Sequence, residues 1–463
     1  MRLAPGCLVF RLMPALVSVL LCALPGSSTS LAQYGRADER YLLSELPPSS
    51  PWERTRTVGL GAGLSLIGAQ WRGATTLFLD NQTGPFLFQI QGTYRAGIYG
   101  PYKPDTDAWT DATRLLVFAR TPDRKESRRF LRLGPLSRKR MGTGMLVDFF
   151  STQAIWDDRS IGASLQINRR RVGLETFTGD VFGRGVVGTR ISLYDRRTRD
   201  AGFRSLAVGL DLVTDLSMVS TAEADSLAPH AAAVDVSMAI YREGDLQVRP
   251  HIALSRFLNY GEAVQFGLDV LGDGLVDAVH VRLRGGLMYT TRGFVPGYFG
   301  PFYGANNHGA RILRSTGSSD ATQRFATTSL RETPPNTYLL LEFFLNIDPF
   351  FEVWWSFKRA YHDLDRSIAH LRLFADFGQI RLSIAQDRGR LGGIFSTLEP
   401  LNDLTQLHFS AEYALSDRLV LMLVSHYGYE IGSDDLLSND ETTFTPYIVQ
   451  RRFEPSLTYR LPF

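Results

Sequence analysis

The sequence contains little cysteine and, beyond its first residues, no long apolar run. Only two of its 463 residues are cysteine. After the N-terminal segment there is no uninterrupted apolar stretch of about 18 residues, the length at which a helix crosses a bilayer. The mean hydropathy is -0.08. These features argue against a protein built from several membrane-spanning helices.

A strong charge of one sign is also missing. Lysine and arginine number 50 against 47 aspartates and glutamates, which leaves a formal net charge of +3. The chain is 44% hydrophobic and 21% charged, a mixture that indicates a folded protein and excludes a disordered one. Because the small net charge offers no general attraction to nucleic acid, we expect no nucleic-acid partner.

Residues 1–32 have the features of a secretory signal peptide. They begin with two arginines and no acidic residue, continue with an apolar stretch at 12–24, and end in a small-x-small cleavage site at 30–32. A membrane anchor is the alternative, but the apolar stretch is short and contains a proline. Both cysteines, Cys7 and Cys22, lie in this segment. The mature chain would therefore have neither disulfides nor thiolate metal sites.

From about residue 57 to the end, apolar and polar residues alternate with a period of two. This pattern predicts strands whose two faces are solvated differently. In one clear example the apolar face carries Phe351, Val353, Trp355 and Phe357. The polar face of the same segment carries Glu352, Ser356 and Lys358. Similar segments occur at 279–287, 338–347 and 371–377.

The connections between these segments differ in length. Short ones with turn-forming residues lie at 242–245, 346–349, 377–379 and 416–418, and long ones lie at about 214–230, 291–334, 387–402 and 430–446. In the C-terminal half, short and long connections mostly alternate, which is typical of a barrel with tight turns at one rim and large loops at the other. A short connection at 259–261, where a long one is due, is the exception.

The last strand carries the most specific pattern. Apolar residues and a proline occupy every second position up to the carboxyl terminus: Phe453, Pro455, Leu457, Tyr459, Leu461 and Phe463. Here the chain resembles the bacterial outer-membrane β-barrel proteins, whose final strand alternates in this way and ends in an aromatic residue. The resemblance implies that Tyr459, Leu461 and Phe463 form the signal read by the barrel-assembly machinery. It is generic to the porin-like class and identifies no single family, and an edge strand of a soluble β-protein is the alternative.

We therefore predict an all-β fold, a transmembrane antiparallel β-barrel of about 20 strands within a range of about 16 to 22. A strand exposed to lipid must satisfy every backbone N–H and C=O within the sheet, so the sheet must close. The predicted organisation is a signal peptide at 1–32, a periplasmic or lumenal segment at 33–56, and the barrel at 57–463 with the long loop 291–334.

Motifs for metal, nucleotide or nucleophilic chemistry are absent from the sequence. It has no H-E-x-x-H, G-x-S-x-G or Walker A motif. Several of the eight histidines fall on polar strand faces, where an imidazole is more commonly a hydrogen-bonded wall residue than a catalyst. We expect no enzyme activity, catalytic residue, metal or cofactor. The alternative is a hydrolase embedded in the barrel, in which a serine or aspartate meets a histidine across neighbouring strands.

Charged residues on the polar strand faces are the predicted pore lining: Arg282, Arg284, Glu342, Glu352, Arg372 and Asp376. Basic residues also cluster in the N-terminal half, nine against two acidic residues at 120–140, with a second group at 169–199. One interpretation places these clusters in connections solvated at the membrane surface. The other is an electropositive mouth or wall that concentrates anions.

The long connection 291–334 carries a second set of candidates. Aromatic residues between glycines would bind a ligand there: Tyr298, Phe299, Phe302 and Tyr303. A loop of this length is commonly functional or disordered. Three interpretations stay open at this point: an inward fold that narrows the pore, an external loop that binds sugar by aromatic stacking, and a mobile surface loop.

The expected function is a porin-like passive channel in the outer membrane of a Gram-negative-type bacterium. It would pass small hydrophilic solutes, and a preference for anions is one interpretation of the arginine clusters. The alternative is a closed barrel that acts as a surface receptor, or as a scaffold for envelope polymers or a secretion partner. The expected partners are outer-membrane lipid, the barrel-assembly machinery, and a small solute or envelope polymer. The oligomeric state is left open.

Overall fold

The computed structural model describes the β-strands and parts of the connections between them. The described residues are 56–67, 70–83, 86–97, 105–106, 115–120, 129–153, 160–169, 171–182, 185–194, 201–216, 229–244, 246–273, 279–303, 330–331, 333–347, 350–393, 401, 404–431 and 447–462. The predicted signal peptide 1–32 and, apart from Arg56, the predicted segment 33–56 lie outside them.

Strands make up nearly all of the regular structure. In chain order they are β1 Arg56–Ile67, β2 Gln70–Thr83, β3 Phe86–Gly97, β4 Asp105–Thr106, β5 Leu116–Arg120, β6 Arg129–Gly134, β7 Ser137–Lys139, β8 Phe150–Ser151, β9 Gly162–Asn168, β10 Val172–Thr178, β11 Val186–Tyr194, β12 Ala207–Asp215, β13 Ala231–Ser237, β14 Tyr241–Glu243, β15 Leu246–Phe257, β16 Glu262–Asp273, β17 Val279–Thr290, β18 Asn336–Ile347, β19 Phe351–Ala360, β20 Ile368–Asp376, β21 Ile380–Gly389, β22 Thr405–Ala414, β23 Leu419–Ile431 and β24 Tyr447–Pro462. Two single-turn 3-10 helices span Phe203–Ser205 and Leu364–Arg366. No helix among the described residues is long and apolar enough to cross a membrane. The all-β prediction is confirmed.

The strands pair antiparallel in sequence order, and the row of pairings returns to its start. A sheet of 22 strands contains all of them except β7 and β8, which pair with each other. The first strand, β1, pairs with β2 on one edge and with the last strand, β24, on the other, so that Thr57 lies opposite both Asp80 and Pro462. The short strand β4 and strand β5 both pair with β3, and they fill one strand position together. In the same way, β13 and the short strand β14 both pair with β15. The sheet therefore has about twenty strand positions, as the pattern predicts.

The two faces of the sheet differ sharply in chemistry. In β18 every second side chain is buried, so that Glu342 is 6% exposed while its neighbours Leu341 and Phe343 face outward. Large apolar side chains are exposed on the outward face all around the ring, including Leu60 at 57% and Leu254 at 56%. Most charged side chains of the strands lie on the inward face, and the exposed pair of Arg256 and Glu262 lies at the loop rim. A soluble β-protein has the reverse arrangement, because its ionised groups face water.

The ring has two rims with different connections. We call the end that holds Arg56 and Pro462 the terminal rim and the opposite end the loop rim. The predicted tight turns at 242–245, 346–349, 377–379 and 416–418 all lie at the terminal rim, between successive strands. The connection 258–261 is the predicted short exception at the loop rim. Two longer loop-rim connections, before β9 and before β18, enter the interior of the ring.

The largest buried apolar cluster lies inside one half of the ring. Its members come from the two entering connections and from strands β10 to β19: Leu136, Met141, Met145, Leu146, Val147, Phe150, Phe177, Val186, Val213, Ala231, Ala233, Ala253, Phe257, Ala263, Met288, Phe294, Phe299, Tyr303, Leu330, Tyr338, Leu340 and Ala360. We call the inner face of β10 to β19 the packed half. The inner face of β20 to β24 and of β1 to β6 contributes no member to this cluster, and we call it the polar half.

Candidate functional site

Residues 135–153 run through the interior of the ring. This segment leaves the loop rim after β6, forms the β7–β8 pair and returns toward β9. It is almost fully buried, with Leu136 at 2% and Val147 at 0% exposure. Its side chains contact inward-facing residues on two well-separated parts of the wall. Segment 135–153 is therefore a chord across the interior.

One end of the chord is attached to β9 and β10. The ammonium group of Lys139 donates a hydrogen bond of 3.1 Å to Ser164 Oγ and forms an ion pair with Glu175. Both partners face inward, and Lys139 is 1% exposed. A lysine so deeply buried is stable only when it is paired, so this contact fixes the start of the chord.

Gly142 allows the chord to lie directly against an ion pair of the wall. Arg190 on β11 bonds Asp211 at 2.7 Å and Asp235 at 2.6 Å, on the next two strands. Gly142 has a φ of +55°, and a Cβ there would lie 2.3 Å from Arg190 Nη1 and 2.5 Å from Asp211 Oδ2. Only glycine combines this left-handed conformation with so close an approach.

The other end of the chord is held by four alternating charges. Arg140 Nε bonds Asp148 Oδ1 at 2.5 Å within the segment, and Arg140 also pairs with Glu342 on β18. Asp148 Oδ2 lies 2.5 Å from Lys358 Nζ on β19, and Lys358 donates to the backbone oxygen of Gly144 at 3.3 Å. Two cations and two anions balance, which is the condition for burying charge.

Asp148 and Arg140, which pair with each other within the chord, stay ionised in this setting. Burial alone would raise the pKa of the Asp148 carboxyl, but Arg140, Lys358 and His370 hold that pKa below its usual range. Burial alone would lower the pKa of Arg140, and Asp148 and Glu342 raise it above its usual value. Asp148 therefore stays a carboxylate inside the ring because Arg140, Lys358 and His370 surround it.

Phe149 fixes the chord against β19 and β20. Its ring stacks on His370 at a centroid distance of 4.0 Å and packs against Trp354 at 4.6 Å. The guanidinium carbons of Arg140 and Arg372 lie 5.0 and 5.1 Å from the ring centre. Phe149 has a φ of 52°, a left-handed conformation that is rare for a bulky side chain. Such a conformation persists only where the surroundings impose it.

Residues 291–303 form the second inward segment and pack along the first. Gly297 N donates to Met145 O at 2.8 Å, Phe299 N donates to Leu146 O at 3.2 Å, and Asp148 N donates to Phe299 O at 3.2 Å. These bonds make a short parallel bridge between the segments. The backbone of each segment therefore satisfies that of the other inside the ring.

The short connection 258–261 makes room for this segment to enter. A Cβ on Gly261 would lie 2.4 Å from the backbone oxygen of Arg292 and 2.7 Å from the nitrogen of Phe294. The chain at 292–294 thus crosses directly over Gly261. The unexpected short connection at the loop rim is the place where segment 291–303 passes inward.

The aromatic candidates of the long loop lie in this packed interior. Phe299 is 0%, Phe302 8% and Tyr303 6% exposed, and Tyr298 is partly buried. The rings of Tyr298, Phe299 and Tyr303 lie within 5.4 Å of one another, and Tyr303 Oη donates to Asp215 Oδ2 at 2.6 Å. Of the three interpretations of the loop, residues 291–303 follow the inward one. Residues 304–329 lie outside the described residues.

Three of the predicted pore-lining residues meet beneath the chord. Arg284 Nε bonds Asp269 Oδ1 at 2.6 Å, and Arg282 lies 3.8 Å from Asp269 and 3.9 Å from Glu342. Glu342 is also the partner of Arg140. These side chains face inward as predicted from the alternation, and Glu342 is the one among them that holds segment 135–153. Whether a solute touches them stays a prediction.

The other three candidates are more scattered on the inner face. Arg372 makes a bidentate ion pair with Asp387 at 2.8 and 2.9 Å. Asp376 pairs with Arg381 at 3.0 Å near the terminal rim. Glu352 is 1% exposed and accepts a hydrogen bond from Asn346 at 3.3 Å. The structure does not bring these three together into one cluster.

The sequence patterns missed the residues that hold the chord. The basic run Arg138, Lys139 and Arg140 belongs to a cluster for which a membrane-surface position was one interpretation, yet all three are at most 2% exposed and lie inside the ring. The reason is that carboxylates distant in sequence, such as Glu175 and Glu342, meet them there. An unusually basic run next to Gly142 and Gly144 is the only local signal of this arrangement.

A histidine and an aspartate do meet across neighbouring strands, as the hydrolase alternative requires. His370 Nδ1 lies 2.7 Å from Asp387 Oδ1, and Ser356 is the cross-strand neighbour of His370. No hydrogen bond in the described part of the chain joins Ser356 to His370, whose Nε2 lies 3.9 Å from Asp148. The contact between nucleophile and base that activates a serine is not formed there. In the described ranges no group of three or more His, Cys, Asp or Glu is placed to hold a metal ion.

The polar half is joined from strand to strand across its inner face. Glu454 on β24 accepts hydrogen bonds from Ser65 on β1 at 2.7 Å and from Arg95 on β3 at 2.8 Å. Arg460 donates to Glu412 at 3.2 Å. In the packed half, by contrast, the wall residues Glu175, Glu342 and Lys358 bond residues of the chord. The same alternation thus serves two different interiors.

Comparisons with known proteins give weak likenesses only. No protein-family model and no curated protein matches the chain. Among solved structures, the outer membrane protein OpdK from Pseudomonas aeruginosa is 8% identical with a TM-score of 0.29, covering 88% of this chain and 98% of its own. OccAB3 from Acinetobacter baumannii is 10% identical with a TM-score of 0.29 over 88% and 99%. The siderophore receptor PirA from Acinetobacter baumannii is 8% identical with a TM-score of 0.32 over 88% and 80%. Likenesses this distant support no statement about this chain.

Proposed function

We propose that this chain is an outer-membrane β-barrel that passes small hydrophilic solutes through its interior. One observation carries the proposal: a ring of antiparallel strands has exposed apolar side chains on its outward face and ionised side chains on its inward face. A lipid bilayer requires the first property, and the second suits an interior that holds water. Its core accepts a sheet only when no edge is unpaired and when the surrounding face is apolar.

The partition of the interior suggests where the passage runs. Segments 135–153 and 291–303 fill the space beside β10 to β19 with an apolar cluster. A hydrophilic solute loses its hydration there without gaining polar contacts. The inner face of β20 to β24 and β1 to β6 instead carries carboxylates, guanidinium groups and hydroxyls. We infer that solutes pass along this polar half, down their gradient and without covalent chemistry, enzyme activity or cofactor.

The proposed location follows from the two ends of the chain. Residues 1–32 would direct export through the inner membrane. In β24, Tyr459 and Leu461 are exposed on the outward face at 43% and 48%, where the barrel-assembly machinery would read the terminal pattern. With an even number of strands both termini share one rim, so the terminal rim would face the periplasm and the loop rim the outside.

Conductance of the purified protein in planar lipid bilayers tests this proposal. We expect stable ion-conducting steps in the wild type, since the polar half offers a charged aqueous wall. A variant with the same outward face but Asp376→Asn, which alters a pair near the terminal rim, should still conduct. A wild-type protein that inserts into the bilayer and never conducts would overturn the channel.

A closed barrel is the second proposal, and a specific observation favours it. The two inward segments leave Met145, Val147 and Phe299 at 0–1% exposure, so they are packed as tightly as a folded core. In that case the protein would act as a surface receptor or scaffold. Removing residues 304–329, which lie between segment 291–303 and β18, separates the two functions. A receptor would lose binding to its partner, whereas a channel would keep its conductance.

A further inference from the structure

The outward face of β19 and of β24 is apolar up to an arginine near the loop rim. Side chains at every second position of a strand share one face. On β19 the outward positions run from Phe351 to Phe357 and are followed by Arg359. On β24 they run from Leu461 back to Phe453 and are followed by Arg451. We call Arg359 and Arg451 the rim arginines.

The height of the rim arginines matches the upper edge of a lipid belt. Toward the loop rim, Arg359 lies eight residues beyond Phe351, and Arg451 lies ten residues beyond Leu461. At about 3.3 Å per residue and a strand tilt of about 40°, these separations correspond to heights of about 20 Å and about 25 Å. The apolar band of an outer-membrane barrel is about 25 Å tall. The rim arginines are therefore at the level of the lipid headgroups.

A connection that lies on the outward face marks the same level. Leu391, which follows β21, is 0% exposed and packs with Phe357 and Ala369. Both partners point outward, since Phe357 lies opposite the outward residue Leu341 and Ala369 lies opposite Phe357. An irregular segment exposed to lipid does not occur within the hydrocarbon. The hydrocarbon therefore ends below Phe357, and Arg359 lies beyond its edge.

Each rim arginine lies against a tyrosine ring. The guanidinium carbon of Arg359 is 5.7 Å from the ring centre of Tyr361, and that of Arg451 is 5.8 Å from the ring centre of Tyr427. A ring face attracts the cation without neutralising its charge. In the described part of the chain neither rim arginine has an ion pair, and the outward positions of β18 to β24 carry no aspartate or glutamate. The charge of the rim arginines is therefore available to a headgroup.

Two other arginines on the outward face differ from the rim arginines. Arg256 on β15 lies 3.4 Å from Glu262 on β16, so its charge is balanced across the hairpin. Arg388 on β21 is 3% exposed, so a lipid does not reach it. Only an arginine that is both accessible and without a carboxylate partner attracts an anionic headgroup strongly.

We propose that Arg359 and Arg451 each bind the phosphate group of a lipid in the outer leaflet. A guanidinium group binds phosphate oxygens through two parallel N–H···O bonds. The acyl chains of the same lipid would lie along the apolar outward positions toward the terminal rim. Because β19 and β24 are five strand positions apart, about 24 Å, the two arginines bind separate lipids. This inference rests on the proposed membrane barrel, with the loop rim outside, and it specifies the lipid that surrounds this part of the wall.

Native mass spectrometry of the purified protein tests the proposal with two lipids. Dioleoylphosphatidic acid carries a phosphate group, and dioleoylglycerol has the same acyl chains without it. We expect the wild type to bind two molecules of the phosphatidic acid more tightly than any of the diacylglycerol. An arginine near the membrane surface contributes about fivefold to the binding of an anionic lipid, so Arg359→Gln and Arg451→Gln should each weaken one binding step about fivefold. In the double variant the preference for phosphatidic acid should disappear, and the pair Arg359→Lys, Arg451→Lys should retain a preference because the charges remain.

The matched control is Arg256→Gln, which removes one positive charge from the same rim and the same face. It should keep the wild-type preference, and a loss as large as in Arg359→Gln would overturn the assignment to the rim arginines. A wild type that binds both lipids equally would overturn the phosphate positions, and the channel stands if its conductance steps persist. Displacement of phosphatidic acid by inorganic phosphate at equal concentration would overturn a lipid as the occupant. A wild type that prefers phosphatidic acid and never conducts would overturn the channel alone, because the rim arginines face outward.

Discussion

The packed half and the polar half of the ring are built by one strand pattern and differ in what lies against them. Both present charged side chains on the inner face, at positions set by the period of two. In the packed half, Glu175, Glu342 and Lys358 bond residues of segment 135–153. In the polar half, Glu454 bonds Arg95 and Glu412 bonds Arg460, on other strands of the wall. The wall therefore fixes which side chains face inward, and the loop-rim connections decide which of them are covered inside the ring.

The largest change to this comparison should come from Asp148→Asn. The variant keeps the size of the side chain and leaves Arg140 and Lys358 buried without their shared anion. Removing one member of a buried ion pair costs about 3–5 kcal/mol, so segment 135–153 should detach from β18 and β19. We expect a higher single-channel conductance and a lower urea midpoint of unfolding.

The matched control for this variant is Asp376→Asn, because Asp376 belongs to a more exposed pair near the terminal rim. A partly exposed pair contributes about 0–1 kcal/mol, so both measurements should stay close to the wild type. If Asp148→Asn and Asp376→Asn behave alike, the charges around Asp148 do not hold the chord.

A smaller effect is expected from Gly142→Ala, which tests the contact of the chord with β11 and β12. The added methyl group would press on the Arg190–Asp211 pair, and the φ of +55° is unfavourable for alanine. Together these should cost about 1–3 kcal/mol. Gly202→Ala separates the two causes, since Gly202 has a φ of +84° and no atom within 4 Å of the added Cβ. Chemical unfolding should show the larger loss for Gly142→Ala. Equal losses would mean that only backbone strain matters at Gly142.

The strand ring was largely predictable from the sequence, and the interior was not. Alternation in segments such as Asn336–Ile347 directly determines which face each residue takes, because the geometry of a strand is local. That is why the inward positions of Arg284, Glu342 and Arg372 follow from the pattern. The partners of these residues do not follow from it. The contact of Arg140 with Glu342 joins residues separated by 202 positions, and only the path of the chord through the ring brings them together.

The loop aromatics show the same limit. The run from Gly297 to Gly304 is equally compatible with an external loop and an inward one, since both need aromatic side chains and turn-forming glycines. The decisive feature lies elsewhere in the chain. Gly261 and the short connection around it open the way inward, and the missing long loop at 258–261 is visible in the sequence as an irregular spacing. Its meaning depends on which strands are neighbours at the loop rim.

The smallest effect is expected from mild acid on the chord itself. A carboxyl whose pKa is lower in the folded than in the unfolded protein stabilises the fold at pH values above the unfolded value of about 4. That contribution is lost only as the pH falls through the lower folded value. Since Arg140 and Lys358 hold the pKa of Asp148 below its usual range, the chord should stay attached from pH 7 to about pH 5. Conductance in concentrated KCl should therefore be constant over this range. A conductance that rises on acidification from pH 7 to about pH 5 in the wild type, but not in Asp148→Asn, would show that the chord detaches in this range and would contradict this expectation.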